Sequence, residues 1–156
     1  MPLANTSELA LHTRRENQIA NEINREPVRF GDVLVTDDLQ RKFHMCTHRP
    51  VNPSRKYNCH GLTFGSRRTW IEAPEIAKIL KDDEYDVVDL KFVLPGDIAI
   101  YYSANGEAEH SGLVTSVSDL GVPIILSKWG ACHEVVHQVP HSEYDAANVV
   151  YYRIST

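Results

Sequence analysis

A chain of 156 residues suits one domain and is long enough to bury a core without disulfide staples. Its 42% apolar and 24% charged residues are ordinary globular usage, and a net charge of −5 argues against nucleic acid or an anionic membrane as partner. Three cysteines, Cys46, Cys59 and Cys132, cannot all pair within the chain, so at least one thiol stays free, which suits a reducing compartment or a catalytic role.

In chain order, Met1 to Thr6 shows no basic segment followed by an apolar run, and no stretch reaches the length of a bilayer span. The expectation is a cytoplasmic protein as synthesised, with export by a signal-independent route left open. Asn5, Thr6 and Ser7 offer N-caps for a polar helix to about Ile23, with Leu9, Ile19 and Ile23 as its contacts. Residues 1–28 then form a helical arm, and residues 29–156 the main domain. Phe30 to Val35 reads as a short strand, and Thr47 to Tyr57, with Pro50, Asn52, Pro53 and Ser54, as loop. A helix opens at Cys59, and Pro74 sits in the first turn of another over Glu75 to Lys81. From the Pro95-Gly96 turn onward the period changes. Strands are expected at 97–102, 111–117, 124–128, 134–139 and 148–154, with an Asn105-Gly106 hairpin loop after the first. Helices followed by an antiparallel meander describe an α+β domain, N-terminal helices packed on a five-stranded sheet.

The chemistry concentrates on two residues. Cys59 stands at a helix start, where unpaired backbone N–H groups favour a thiolate and its own N–H can serve an oxyanion hole. The basic residues Arg49, Arg55, Lys56, Arg67 and Arg68 flank it and would raise the local potential, or simply solvate a loop and a helix face. His110 opens the strand His110-Ser111-Gly112-Leu113-Val114, a rigid place for a general base, with a small Ser-Gly pair that lets another backbone approach. A third group should orient the imidazole. Ser127 in Ser127-Lys128-Trp129-Gly130 is the candidate, with a backbone carbonyl or a later histidine as substitutes. Around the thiol, Tyr57, Asn58, Gly61 and Trp129 are candidate substrate-binding residues. Gly61 would leave room, Asn58 would cap the helix or donate to an oxyanion, and Trp129 would be a lid or a core aromatic. Cys132, His133, His137 and His141 allow a weaker zinc reading; their spacing differs from paired-ligand patterns and Pro140 interrupts it. No metal or cofactor is expected.

The order of Cys59 with Gly61, Pro95-Gly96-Asp97-Ile98-Ala99-Ile100-Tyr101-Tyr102, and His110 with Gly112 resembles the NlpC/P60 and CHAP branch of papain-like cysteine peptidases. The resemblance covers residues 55–154. It implies a papain-like fold with Cys59 as nucleophile and His110 as base, the third position falling near Ser127, where the family usually has His, Asn or Gln. Amide cleavage through a thioester is the implied activity, most simply in peptidoglycan stem peptides, for a toxin, effector or phage-type enzyme with a cognate inhibitor protein as partner. The Asn58-Cys59 pair also resembles permuted lipid-acyl-transferring relatives, for which His44 or His48 would have to serve. A papain-like module that binds a peptide without cleaving it is the alternative from another class.

Overall fold

The computed structural model describes residues 6–24 and 26–155. Its elements are β1 (Thr6–Ser7), β2 (Ile23–Asn24), α1 (Phe30–Lys42), β3 (Thr47–His48), α2 (Cys59–Phe64), α3 (Pro74–Asp82), β4 (Tyr85–Val88), β5 (Ile98–Tyr102), β6 (Ala108–Val117), β7 (Pro123–Lys128), β8 (Glu134–Gln138) and β9 (Val149–Ile154). β1 and β2 pair with each other. The other seven strands form one antiparallel sheet in the order β3-β8-β7-β6-β5-β9-β4. The fold is α+β, as the sequence indicates.

The sheet has seven strands rather than the expected five. The five long strands lie where the alternation puts them. The two additions are its edges, β3 with two residues and β4 with four. Such short segments carry too little pattern to be read alone and exist because β8 and β9 offer a free edge.

Two further expectations are corrected. The helix over residues 5–23 is absent: the described residues from Glu8 to Glu22 run as extended chain and turns between β1 and β2. The Asn5 cap lies outside the described residues. This segment is pinned to the end of α3, where Thr13 Oγ1 and Asn17 Nδ2 both donate to Asp82 (2.8 and 2.7 Å) and Ile19 enters the core. Conversely, Phe30–Val35 is helix, not strand. Asp32 accepts from the Arg29 backbone N–H at 2.9 Å and closes the first turn, Arg55 clamps the same carboxylate, and Thr36 and Leu39 turn inward at helical spacing. Tertiary contacts thus override the β-branched composition.

β5 is buried on both faces, which accounts for its unbroken apolar run. Ile98 and Ile100 join Ile71, Ile76 and Ile79 under α3, whereas Ala99 and Tyr101 join Val114, Ile125 and Tyr151 on the opposite face. A third cluster joins α1 to the sheet through Leu39, Trp129, Cys132 and Val135. Pro95-Gly96-Asp97 leads into β5, with Gly96 at φ 97°, and Asp97 accepts from Leu94 N–H and from two nitrogens of Arg153 on β9.

Gly61 is required by packing. A Cβ there would lie 1.9 Å from the Thr69 carbonyl oxygen. Gly61→Ala should therefore destabilise the fold by about 2–3 kcal/mol in urea denaturation, as overpacking does. Gly31→Ala, with nothing within 4 Å of the new methyl, should be neutral or stabilising by up to about 1 kcal/mol. Equal effects of the two would show that α2 can move away from Thr69.

Candidate active site

α2 begins at Cys59 because Asn58 caps it. Asn58 Oδ1 accepts from Gly61 N–H (2.9 Å) and Ile71 N–H (3.1 Å), and its Nδ2 donates to Ile71 O (2.7 Å). The amide is thereby occupied as a cap that also ties α2 to the segment before α3. The next residue, His60, is buried and fastens the helix to β6. Its Nε2 lies 2.8 Å from Ala108 O, an acceptor, so Nε2 carries the proton; Nδ1 lies 2.8 Å from Ser111 Oγ, which is also 2.9 Å from Thr63 Oγ1. Cys59 and His110 are the chain neighbours of these two bonded residues. The Cys59 thiol is buried against the backbone N–H groups of Ser111 and His60. Burial pushes it up to about 11; those N–H groups and the Lys128 ammonium oppose the rise.

His110 is fully buried on β6, opposite Tyr101 in register. Tyr144, from the segment joining β8 to β9, stacks flat on its ring with centroids 3.7 Å apart and planes at 7°, and Tyr101 meets it edge-on at 5.1 Å. Neither ring nitrogen of His110 has a hydrogen-bond partner among the described residues. Burial, with His137 and His60 nearby, holds it well below the ordinary imidazole value. The Cys59–His110 and Ser127–His110 hydrogen bonds suggested by the sequence are thus not made in this closed arrangement.

Ser127 is buried and bonded elsewhere, with a defined direction. His137 Nδ1 lies 2.7 Å from the Gln138 carbonyl, so it carries the proton and leaves Nε2 to accept from Ser127 Oγ at 2.7 Å. Trp129 Nε1–H donates to the same oxygen at 3.1 Å. Ser127 has its one proton committed and keeps one lone pair as an acceptor. Gly112 is small because a Cβ there would strike Ile125 Cγ2 at 2.4 Å and approach Leu126 O at 2.9 Å.

The other candidates are placed as follows. Tyr57 donates its hydroxyl to Glu134, which Arg67 also holds at 2.7 and 3.1 Å, and its ring lies under Lys128. Trp129 is buried in the third cluster, edge-on to Phe43 and His48. His48 binds His133 Nε2 at 2.7 Å and Phe43 O at 2.8 Å, and His44 is exposed. Cys132, His133, His137 and His141 do not converge: among the described residues no three His, Cys, Asp or Glu side chains are placed to hold a metal ion. Nor is any helix of those residues long and apolar enough to cross a membrane. His60, Tyr144, Lys128 and His137 as site neighbours were not assigned from sequence. Their signals in the sequence were the adjacency of His60 to Cys59 and the later histidine allowed in place of Ser127.

Two outcomes follow. His60 and His137 are pushed down to about 4, and His110 well below its ordinary value, burial being the main cause in each. Once unfolded, these rings protonate near pH 6.5, so stability is complete above that value and is lost as pH falls from there towards 4. His133 is pushed down to about 4 as well, again mainly by burial. The urea midpoint should therefore drop steeply between pH 6.5 and 5, with about four protons taken up on unfolding; a midpoint flat across that range would show the rings to be solvated. Separately, Ser127→Ala leaves Trp129 Nε1–H and His137 Nε2 unpaired and should cost about 1–3 kcal/mol in urea; a neutral result would mean that water replaces the hydroxyl.

No family model matches this chain, and no curated protein or solved structure matches it either.

Proposed function

We propose that the protein is a papain-like cysteine hydrolase of NlpC/P60 or CHAP type, with Cys59 as nucleophile and His110 as general base and acid. The observation that carries this reading is the His60–Ser111 hydrogen bond of 2.8 Å, which brings the residues next to Cys59 and His110 together from chain positions 51 apart. A buried thiol against backbone N–H groups, on a helix packed against the strand that carries a buried imidazole, supports amide cleavage. The thiolate attacks the amide carbonyl, the amine leaves with the proton held by His110, and water then releases the acid from the thioester and returns the proton to sulfur. Backbone N–H groups around Cys59 supply the oxyanion donors. Ser127, as a directed acceptor on the same face of the sheet as His137, is the orienting group once His110 turns towards it.

The substrate class is a peptide or isopeptide amide, peptidoglycan stem peptides first, and the sequence order that resembles the family carries that choice. The buried His110 under Tyr144 means that substrate reaches the pair only after the segment carrying Tyr144 moves. Two observations favour the second reading, a binding module without catalysis: His110 makes no hydrogen bond among the described residues, and the thiol is pushed up rather than down.

Incubation with muropeptides and with isopeptide-linked substrates, read by mass spectrometry, distinguishes the two. The expected result is cleavage that Cys59→Ala abolishes and His110→Ala slows at least about a hundredfold. If nothing is cleaved, and iodoacetamide labels Cys59 no faster than Cys46 or Cys132 at any pH, the binding module takes its place.

A further inference from the structure

β4 forms one edge of the large sheet and, among the described residues, pairs with β9 alone. Ser155 N–H donates to Glu84 O at 2.9 Å, and these two residues lie opposite each other in the β4–β9 register. Asp86 and Val88, in step with Glu84, therefore turn their backbone groups towards β9. Tyr85 and Val87 direct theirs the other way. Neither has a backbone partner on that side among the described residues.

Apolar side chains flank this free edge. Val87 is 68% exposed, and the turn after it, Leu90–Phe92, leaves Leu90 55% and Phe92 64% exposed. Tyr85, on the same face as Val87, packs edge-on to Phe64 and fixes the orientation of the strand. Arg153 on β9 donates to Phe92 O at 3.0 Å and holds the turn against the sheet. A groove of about 490 Å³ runs here, with Asp86, Val87, Asp89, Phe92 and Arg153 in its lining. An open strand edge beside exposed apolar residues is the surface that an added strand covers, with backbone groups supplying affinity and alternate side chains specificity.

Charge selects the occupant. Asp86 and Asp89 form no ion pair among the described residues; the Asp89 carboxylate accepts from Lys91 N–H at 3.1 Å. The basic groups nearby are engaged. Arg153 holds Asp97 through two nitrogens at 2.7 Å, Arg14 meets Glu84 at 3.7 Å, and Lys91 lies over the Phe92 ring at 5.3 Å. Two copies joined through β4 would bring Asp83, Glu84, Asp86 and Asp89 of one against those of the other, a like-charge contact that costs stability. We propose that the free edge of β4 is a docking site for an extended peptide segment of another protein, built of alternating apolar and basic residues. Its backbone pairs with Tyr85 and Val87, its apolar side chains cover Val87 and Phe92, and its cations meet Asp86 and Asp89. The site uses neither Cys59 nor His110, so it goes beyond the hydrolase reading and does not depend on it.

Fluorescence anisotropy on the full chain tests this with a labelled peptide of alternating Lys and Val, against a Glu-Val counterpart. The basic peptide should bind, more weakly as salt is added, and the acidic one should not. Asp86→Lys with Asp89→Lys should weaken the basic peptide at least about tenfold and admit the acidic one. Val87→Pro removes a backbone donor that faces away from β9, so the sheet keeps its ladder, and should abolish binding. No binding of the basic peptide, equal binding of both peptides, or undiminished binding to Val87→Pro overturns the proposal. If Val87→Pro does not fold, a basic peptide N-methylated at every residue decides, since it cannot donate to a strand. Binding equal to that of the parent peptide overturns the proposal, and lost binding upholds it. Self-association in sedimentation equilibrium that is lost in Asp86→Lys or Val87→Pro would give the edge to a second copy and overturn the peptide.

Discussion

The His60 imidazole holds the site together. Buried between α2 and β6, it donates to Ala108 O and meets Ser111 Oγ, both at 2.8 Å. A buried hydrogen-bonded ring of this kind allows one helix position only, because any slip leaves two polar atoms unpaired in a dry interior. Gly61 tightens the same contact from the other side, where the Thr69 carbonyl occupies the space of a missing side chain. Asn58 closes the third side by bonding both N–H and C=O of Ile71. Residues 58, 60 and 61 are thus structural fasteners, with the buried Cys59 thiol between them.

The opposite face of the sheet carries an unusual load of buried polarity. His110, Ser127, His133 and His137 are all buried there or at its edge, held neutral by burial and joined by hydrogen bonds of fixed direction where partners exist. Such networks are costly unless satisfied. His110 is the exception, with two empty nitrogens under a stacked Tyr144. A group kept at that expense is where local rules are expected to fail for a functional reason.

Charge is arranged in the same spirit. Arg67 reaches Glu134 from a strained turn, with Ser66 and Arg67 both at positive φ, and Arg55 reaches Asp32. These pairs engage the acidic groups near Lys128 and leave the buried ammonium held by the Ser54 and Gly130 carbonyls and the Tyr57 ring. The acidic net charge of the chain therefore says little about the local field at Cys59.

The sequence by itself determined the α+β class, the five long strands, the helix starting at Cys59 and the one starting at Pro74, because those segments carry their own period, cap or turn signal. The proposed nucleophile and base stood out in the sequence through their flanks, Cys59 at the start of a helix and His110 before a small Ser-Gly pair. Only the tertiary structure decided the edge strands, the extended course of residues 8–22 and the helix at Phe30. Two- and four-residue strands, a chain pinned by Asp82 and a helix closed by Asp32 all depend on partners far along the chain. It alone also placed Tyr144 over His110, His137 behind Ser127 and Lys128 under the Tyr57 ring. Those side chains have unremarkable local context, and what gives them a role is burial together, which no window of sequence contains.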